Sequence, residues 1–180
     1  MRNRTILARA RRVRLLAVDV DGVLTDGRMV LSDRGDELKA FHTRDGIAFD
    51  LARRAGLRLA MITGETSVIA KARGAKLGAE VILGARRKGD TVEALLAQHE
   101  LAGEQLAFIG DDLLDVPALQ RAGLAIAVAD AAAEVKKVAH VVTKHRGGHG
   151  AVREAVELIL RAQGVWAKTV RAFLLEHGAR

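Results

Sequence analysis

The sequence predicts an α/β fold: a parallel sheet with helices on both faces and a small β-hairpin inserted after the first strand. Three observations carry that expectation. Apolar blocks of strand length alternate with segments of helical period along the chain. One stretch, 28 to 42, breaks the alternation with two short runs around a glycine-containing turn. And 180 residues, 49% of them hydrophobic, suffice for one full core, since a domain of that size buries roughly 70% of the surface its unfolded chain exposes. Residues 1 to 180 are therefore expected to form a single domain.

The elements follow in order. The basic opening "MRNRTILARARRVR" places Ile6 and Leu7 on the inner face of a short helix. "RLLAVDV" (14 to 20) is a buried strand. "RMVLSDRGDELKAFH" (28 to 42) folds back on itself at "SDRGD" as a hairpin, too small to be an independent lid. "GIAFDLARRAG" (46 to 56) is a helix closed by Gly56, and "LRLAMIT" (57 to 63) the next strand. "SVIAKARGAKLG" (67 to 78) is helical despite Gly74, followed by a strand at "EVIL" (80 to 83). "GDTVEALLAQHEL" (89 to 101) and "VPALQRAG" (116 to 123) are helices, and "QLAFIG" (105 to 110) and "LAIAVA" (124 to 129) strands. An amphipathic helix at 150 to 164 and a docked tail around the single tryptophan, Trp166, complete the chain. Strand–helix–strand units joined by right-handed crossovers make a Rossmann-like sheet, whose ligands bind beyond the carboxyl ends of the strands.

Composition narrows the function. There is no apolar stretch of the roughly 20 residues a membrane span needs. The basic N-terminus lacks the apolar core of a secretory signal, and with no cysteine there can be neither disulfide nor thiolate metal site; a cytoplasmic location is expected. A net charge of +7 invites nucleic acid, but 3% aromatic content and no tyrosine leave little to stack bases, so the charge is read as a solvated surface that attracts small anions. No GxGxxG follows the first strand, which argues against a dinucleotide cofactor.

The strand ends carry the chemistry. The first ends at Asp19 and Asp21, the second at Thr63 with Gly64, the fourth at Gly110, Asp111 and Asp112 of "GDDLLD"; Lys88 opens a helix between them. Carboxylates at two strand ends facing one crevice are costly unless a cation sits between them. An all-oxygen donor set with room for water and phosphate suits Mg²⁺. Phosphoryl transfer follows: a carboxylate such as Asp19 can attack phosphorus, and Asp21 can protonate the leaving oxygen and later activate water. Thr63 offers a hydroxyl and an N–H to phosphate oxygens, and Lys88 neutralises developing charge. Asp112 and Asp115 either cap the following helix or support the metal or Lys88. The "RGGHG" loop (146 to 150) is expected near the pocket, with backbone N–H groups free for a substrate carboxylate.

In that order, "DVDGVLTDG", "MITGE", Lys88 and "GDDLLD" resemble the haloacid dehalogenase superfamily of phosphohydrolases over residues 14 to 150. The resemblance implies that Asp19 is the nucleophile and a Mg²⁺ ligand, that Asp21 is the acid/base with its backbone carbonyl on the metal, and that Asp111 is the third protein ligand. "KAFHTRDG", "AVADA", "GGHGAVRE" and "ILRAQG" extend it to nearly the whole chain and resemble the capless branch acting on phosphorylated 3-deoxy-2-ulosonic acids. That branch implies a Mg²⁺-dependent phosphatase working through an aspartyl phosphate on 3-deoxy-D-manno-octulosonate 8-phosphate, in lipopolysaccharide biosynthesis. It also implies a homotetramer in which the hairpins assemble and a neighbour completes the pocket. Octulosonate-specific members carry Arg after the Thr-Gly pair. This chain has Glu65 there, with Arg73 and Lys76 following at helical spacing, as in relatives acting on nine-carbon ulosonate 9-phosphates. Gly64, Glu65, Arg73, Lys76 and Arg44 are the candidate substrate-binding residues, and the eight- and nine-carbon alternatives stay open. A non-catalytic oligomerisation domain is a third alternative, against which the intact Asp19 and Asp21 speak.

Overall fold

The computed structural model describes residues 2–35 and 37–179. Helix α1 (Arg2–Arg12) leads into β1 (Leu15–Asp19), which is followed by an antiparallel hairpin of β2 (Val30–Leu31) and β3 (Glu37–Leu38). The chain then runs α2 (Thr43–Arg54), β4 (Arg58–Ile62), α3 (Val68–Leu77), β5 (Glu80–Ile82), α4 (Lys88–Gln98), β6 (Leu106–Gly110), α5 (Val116–Arg121), β7 (Leu124–Ala127), α6 (Ala133–Val138), β8 (Val141–Val142), α7 (Ala151–Ala162) and α8 (Trp166–Glu176). The expected hairpin is present; Asp36, in its "SDRGD" turn, lies outside the described residues.

The six main strands pair in parallel in the order β5-β4-β1-β6-β7-β8. From β1 the chain steps outward to β4 and β5, crosses back to β6, and steps out the other way to β8. Right-handed crossovers therefore put α2 and α3 on one face and α4, α5 and α6 on the other. Helix contacts agree: α2 packs on α3 and α7, and α5 on α4 and α6. The order reverses between β1 and β6, so the crevice at their carboxyl ends is the place where such sheets bind ligands. Strands β1, β6 and β7 are buried along their whole length, and Phe49 of α2 and Phe108 of β6 are the largest side chains sealed in the core.

Local chemistry explains the boundaries. Ser67 caps α3 by accepting the Ala70 amide, and Gly78 ends it in the left-handed region that glycine tolerates. Gly74 sits inside α3 because a Cβ there would lie 2.0 Å from Val81 Cγ2; its absence lets the helix lie close on β5. Helix α2 starts three residues before the expected 46. His42 caps it, and the polar first turn carries a buried Asp45 whose Oδ1 accepts the Arg153 amide at 2.8 Å, tying α2 to α7. Helix α6 and strand β8 were not expected from the sequence; six and two residues are too short to show a period. The C-terminal tail docks as anticipated, Trp166 lying within 5.0 and 5.2 Å of the Arg153 and Arg161 guanidiniums and Glu176 pairing with Arg54. Among the described residues no helix is long and apolar enough to cross a membrane.

Candidate active site

Beyond Asp19 the chain turns sharply, with the amides of Leu24 and Thr25 both returning to the Val20 carbonyl at 3.0 Å. Buried Thr25 ties the turn: its hydroxyl accepts the amides of Gly22 and Gly27 at 3.2 Å each. Gly22, at φ +93°, allows a close approach, since a Cβ there would stand 2.1 Å from Asp111 Oδ2. The "DGVLTDG" run is thus a turn built to bring the end of β1 against the carboxylate that follows β6. Asp26 accepts the Arg28 amide at 3.1 Å and serves the turn, not the site.

Lys88, the first residue of α4, points its Nζ between two carboxylates, 2.6 Å from Asp19 Oδ1 and 2.5 Å from Asp115 Oδ1, and all three residues are buried. The other oxygen of Asp115 accepts the Asp111 amide at 2.9 Å and the Asp112 amide at 3.4 Å. Asp115 therefore holds both Lys88 and the loop that carries Asp111. Asp112 instead caps the short turn Leu113–Asp115 by accepting the Leu113 amide at 2.7 Å. Of the two readings offered for that pair, the supporting role falls to Asp115 and the capping role to Asp112.

One carboxylate oxygen from each of Asp19, Asp111 and Asp115 lies within 4.8 Å of the other two. Burial, followed by the charge of Asp115, pushes Asp19 up to about 7 against the pull of Lys88. Burial and then the charges of Asp19 and Asp115 push Asp111 up to about 8, with the Asp19 and Asp111 carboxyls in hydrogen-bonding contact. Burial works to lower Lys88, but the two carboxylates outweigh it and raise the ammonium above its usual range. One lysine against three carboxylates, those of Asp19 and Asp115 buried and that of Asp111 half-buried, leaves negative charge that a divalent cation would neutralise, and an all-oxygen set is what Mg²⁺ prefers. The residues present fit that ion.

The side-chain cluster contains Asp19 and Asp111 of the expected metal set and adds Asp115. Asp21 is expected to reach the metal through its backbone carbonyl, and its side chain turns elsewhere. The reason is the turn after Val20, which ends the strand register that would keep residues 19 and 21 on one face. Asp21 Oδ2 accepts the Thr63 hydroxyl at 3.3 Å, and Asp21 Oδ1 accepts Lys39 Nζ at 2.5 Å. Buried Thr63 at the end of β4 also accepts the Glu65 amide at 3.1 Å. Asp19, Asp21, Thr63, Lys88 and Asp111 thus converge from three strand ends and one helix start. Lys39 joins them unanticipated, because a lysine at the foot of a hairpin looks, in sequence, like an ordinary solvated residue.

The substrate-binding candidates do not gather in the same way. Gly64 adjoins Thr63, and Glu65 is exposed on the rim. Lys76 lies at the other end of α3 from Glu65, roughly 12 Å along the axis, exposed in a groove with Arg53, Arg54 and His177. The Arg73 guanidinium stacks on Phe41 at 5.1 Å. Arg44 lines a separate cleft of about 580 Å³ with Lys144, His145, His149 and Arg153. The "RGGHG" loop differs from expectation: its amides are spent internally, Gly147 on Asp130, Gly148 on the Val23 carbonyl and His149 on the Arg146 carbonyl. It buttresses the β1 turn and has no free N–H row for a carboxylate.

Residues 54–155 match the family of haloacid dehalogenase-like hydrolases. The chain is 41% identical over 160 residues to the 3-deoxy-D-manno-octulosonate 8-phosphate phosphatase of Escherichia coli K12, covering 88% of this chain and 85% of that protein. It resembles the crystal structure of the phosphatase of the same name from Moraxella catarrhalis, solved with magnesium, phosphate and a KDO molecule, at TM-score 0.91 and 36% identity over 93% of this chain and 97% of that one. The cobalt-bound Haemophilus influenzae phosphatase of that name superposes at TM-score 0.86 and 37% identity, covering 90% of this chain and 98% of that one.

Proposed function

The chain belongs to the haloacid dehalogenase-like hydrolases, and from that premise we propose that it is a Mg²⁺-dependent phosphatase of 3-deoxy-D-manno-octulosonate 8-phosphate. The observation that carries the reading is the buried Lys88 ammonium shared by Asp19 and Asp115, with Asp111 against Asp19, at the point where the sheet order reverses. The name and 41% identity of the Escherichia coli relative support the substrate.

Asp19 Oδ1 is held by Lys88, which fixes the carboxylate for attack on phosphorus and offsets charge gathering on the transferring group. As the bond from phosphorus to the sugar oxygen breaks, Asp21 gives its proton to that oxygen, leaving an aspartyl phosphate and the free sugar acid. Asp21 then removes a proton from water, which attacks phosphorus; inorganic phosphate departs and the Asp19 carboxylate is regenerated. The Thr63 hydroxyl and neighbouring amides receive phosphate oxygens. Asp19, Asp111 and the Asp21 carbonyl would hold Mg²⁺, which when bound neutralises the phosphoryl oxygens and separates carboxylates that otherwise repel.

The same reading takes the protein as a single capless domain that works in the cytoplasm, in lipopolysaccharide synthesis, as a homotetramer. Met29, Val30, Leu31 and Leu38 of the hairpin expose apolar side chains that two two-residue strands cannot bury by themselves, which supports assembly through that element. A nine-carbon ulosonate 9-phosphate is the second reading, favoured by Glu65 on the rim beside Thr63.

Phosphate release in Mg²⁺ by wild type and by Asp19→Asn tests the mechanism. The wild type should be silenced by EDTA and revived by Mg²⁺, and Asp19→Asn should lose at least about 10³-fold in turnover while folding normally by circular dichroism. Phosphate release by that variant at the wild-type rate would remove Asp19 as nucleophile.

A further inference from the structure

Lys39 stands at the foot of the hairpin with its side chain only 1% exposed, although the hairpin strands around it are open to solvent. Removing an ammonium from water is costly unless carboxylates replace the lost hydration. Lys39 has two: Glu37 Oε1, two residues back at the start of β3, at 2.8 Å, and Asp21 Oδ1 at 2.5 Å. Burial works to lower the Lys39 ammonium, but the bonds to Asp21 and Glu37 outweigh it and keep it charged.

Asp21 needs such a partner. A group that passes a proton to a leaving oxygen must be aimed within hydrogen-bond reach of it. The turn after Val20 leaves the Asp21 side chain outside any strand register, and among the partners described for it the Thr63 hydroxyl is distant, at 3.3 Å. The short contact is Lys39. The site therefore has two lysines in parallel roles: Lys88 holds the first aspartate of the DxD pair, and Lys39, delivered by the inserted hairpin, holds the second.

We propose that Lys39 is a positioning residue for the leaving-group step: it fixes the Asp21 carboxyl so that its proton reaches the ester oxygen as the phosphorus–oxygen bond breaks. The proton moves from Asp21 to the departing alkoxide, and Lys39 keeps all of its own. The hairpin thereby becomes part of the active site, with Glu37 holding Lys39 from behind. The inference rests on the reading of Asp21 as the acid.

The test compares kcat/KM on two esters, 3-deoxy-D-manno-octulosonate 8-phosphate and 4-nitrophenyl phosphate. This parameter covers the steps up to leaving-group departure; the sugar alkoxide needs a proton to leave, whereas the nitrophenolate departs without one. Asp21→Asn and Lys39→Met should each lose at least about tenfold more on the sugar ester than on the aryl ester, within the range general acids supply. In the Asp21→Asn background, Lys39→Met should cost nothing further, because a residue acting through Asp21 has no effect once the acid is gone. Glu37→Gln, which leaves Lys39 in place, should show the same selectivity in smaller measure, and it decides the matter if Lys39→Met does not fold. Equal losses on both esters, no loss, or full additivity with Asp21→Asn would overturn the role of Lys39. An Asp21→Asn variant that loses equally on both esters would instead overturn the acid assignment, and a wild type that hydrolyses neither overturns the phosphatase reading; in either case the proposal falls with it.

Discussion

At Asp19 burial and the charge of Asp115 together outweigh the opposing pull of Lys88. The Asp19 carboxyl rises from 3.8 to about 7 and that of Asp111 from 3.8 to about 8, so in the metal-free protein both resist ionising when the unfolded chain already has. A carboxyl raised on folding contributes stability below its unfolded value and loses it as pH climbs through the folded one. Metal-free protein should therefore weaken between about pH 4 and pH 8, and a cation that binds the ionised pair should stabilise it more at the upper end. Melting in EDTA and in Mg²⁺ at about pH 5.5 and about pH 8 checks this; the rise in Tm with Mg²⁺ should be clearly larger at pH 8, and an equal rise at both would contradict it. Asp19, Asp21, Thr63, Lys88 and Asp111 were legible in the sequence because each stands at a strand end or helix start, where side-chain type and spacing suffice. Asp115 and Asp112 could not be told apart, since both follow the same strand and only the fold decides which one meets Lys88. Lys39 was hidden for another reason: its partner lies across a turn and a hairpin, and nothing in its local pattern marks it as buried.

The element that organises these residues is the turn after β1, and it leans on the loop at 145 to 150. A Cβ at Gly147 would stand 1.7 Å from the Gly22 carbonyl oxygen, and Gly148 donates to the Val23 carbonyl at 2.9 Å. Gly147→Ala should push the turn away from Asp111, lowering kcat/KM by at least about tenfold and stability by about 1–3 kcal/mol; denaturant unfolding beside kinetics measures both, and unchanged values would show that the loop gives the turn no support. The sequence placed this loop near the pocket but assigned its amides to a ligand. What it could not display is that the loop's glycines are there for lack of a side chain against another backbone. Helix α3 teaches the same lesson from the other side: Gly74 looks like a weak point in a helix until Val81 is seen filling the space above it.

Across the whole molecule, alternation of strand and helix was enough to anticipate the parallel sheet, its two helical layers and the inserted hairpin. Register, sheet order and the short pieces α6 and β8 depend on contacts between distant segments and were not legible. The exposed hairpin carries the assembly reading. Leu31, 65% exposed, should be a site where Leu31→Asp shifts the protein from tetramer towards smaller species by light scattering, whereas a monomeric wild type would refute assembly through this element. The account as a whole stands on the pairing of this site with its substrate. The most direct measurement is phosphate release in Mg²⁺ from 3-deoxy-D-manno-octulosonate 8-phosphate and from a nine-carbon ulosonate 9-phosphate, side by side. A kcat/KM at least about tenfold higher for the eight-carbon ester is the predicted result. A reversed preference would make the nine-carbon ester the substrate, and turnover of neither would contradict the phosphatase itself.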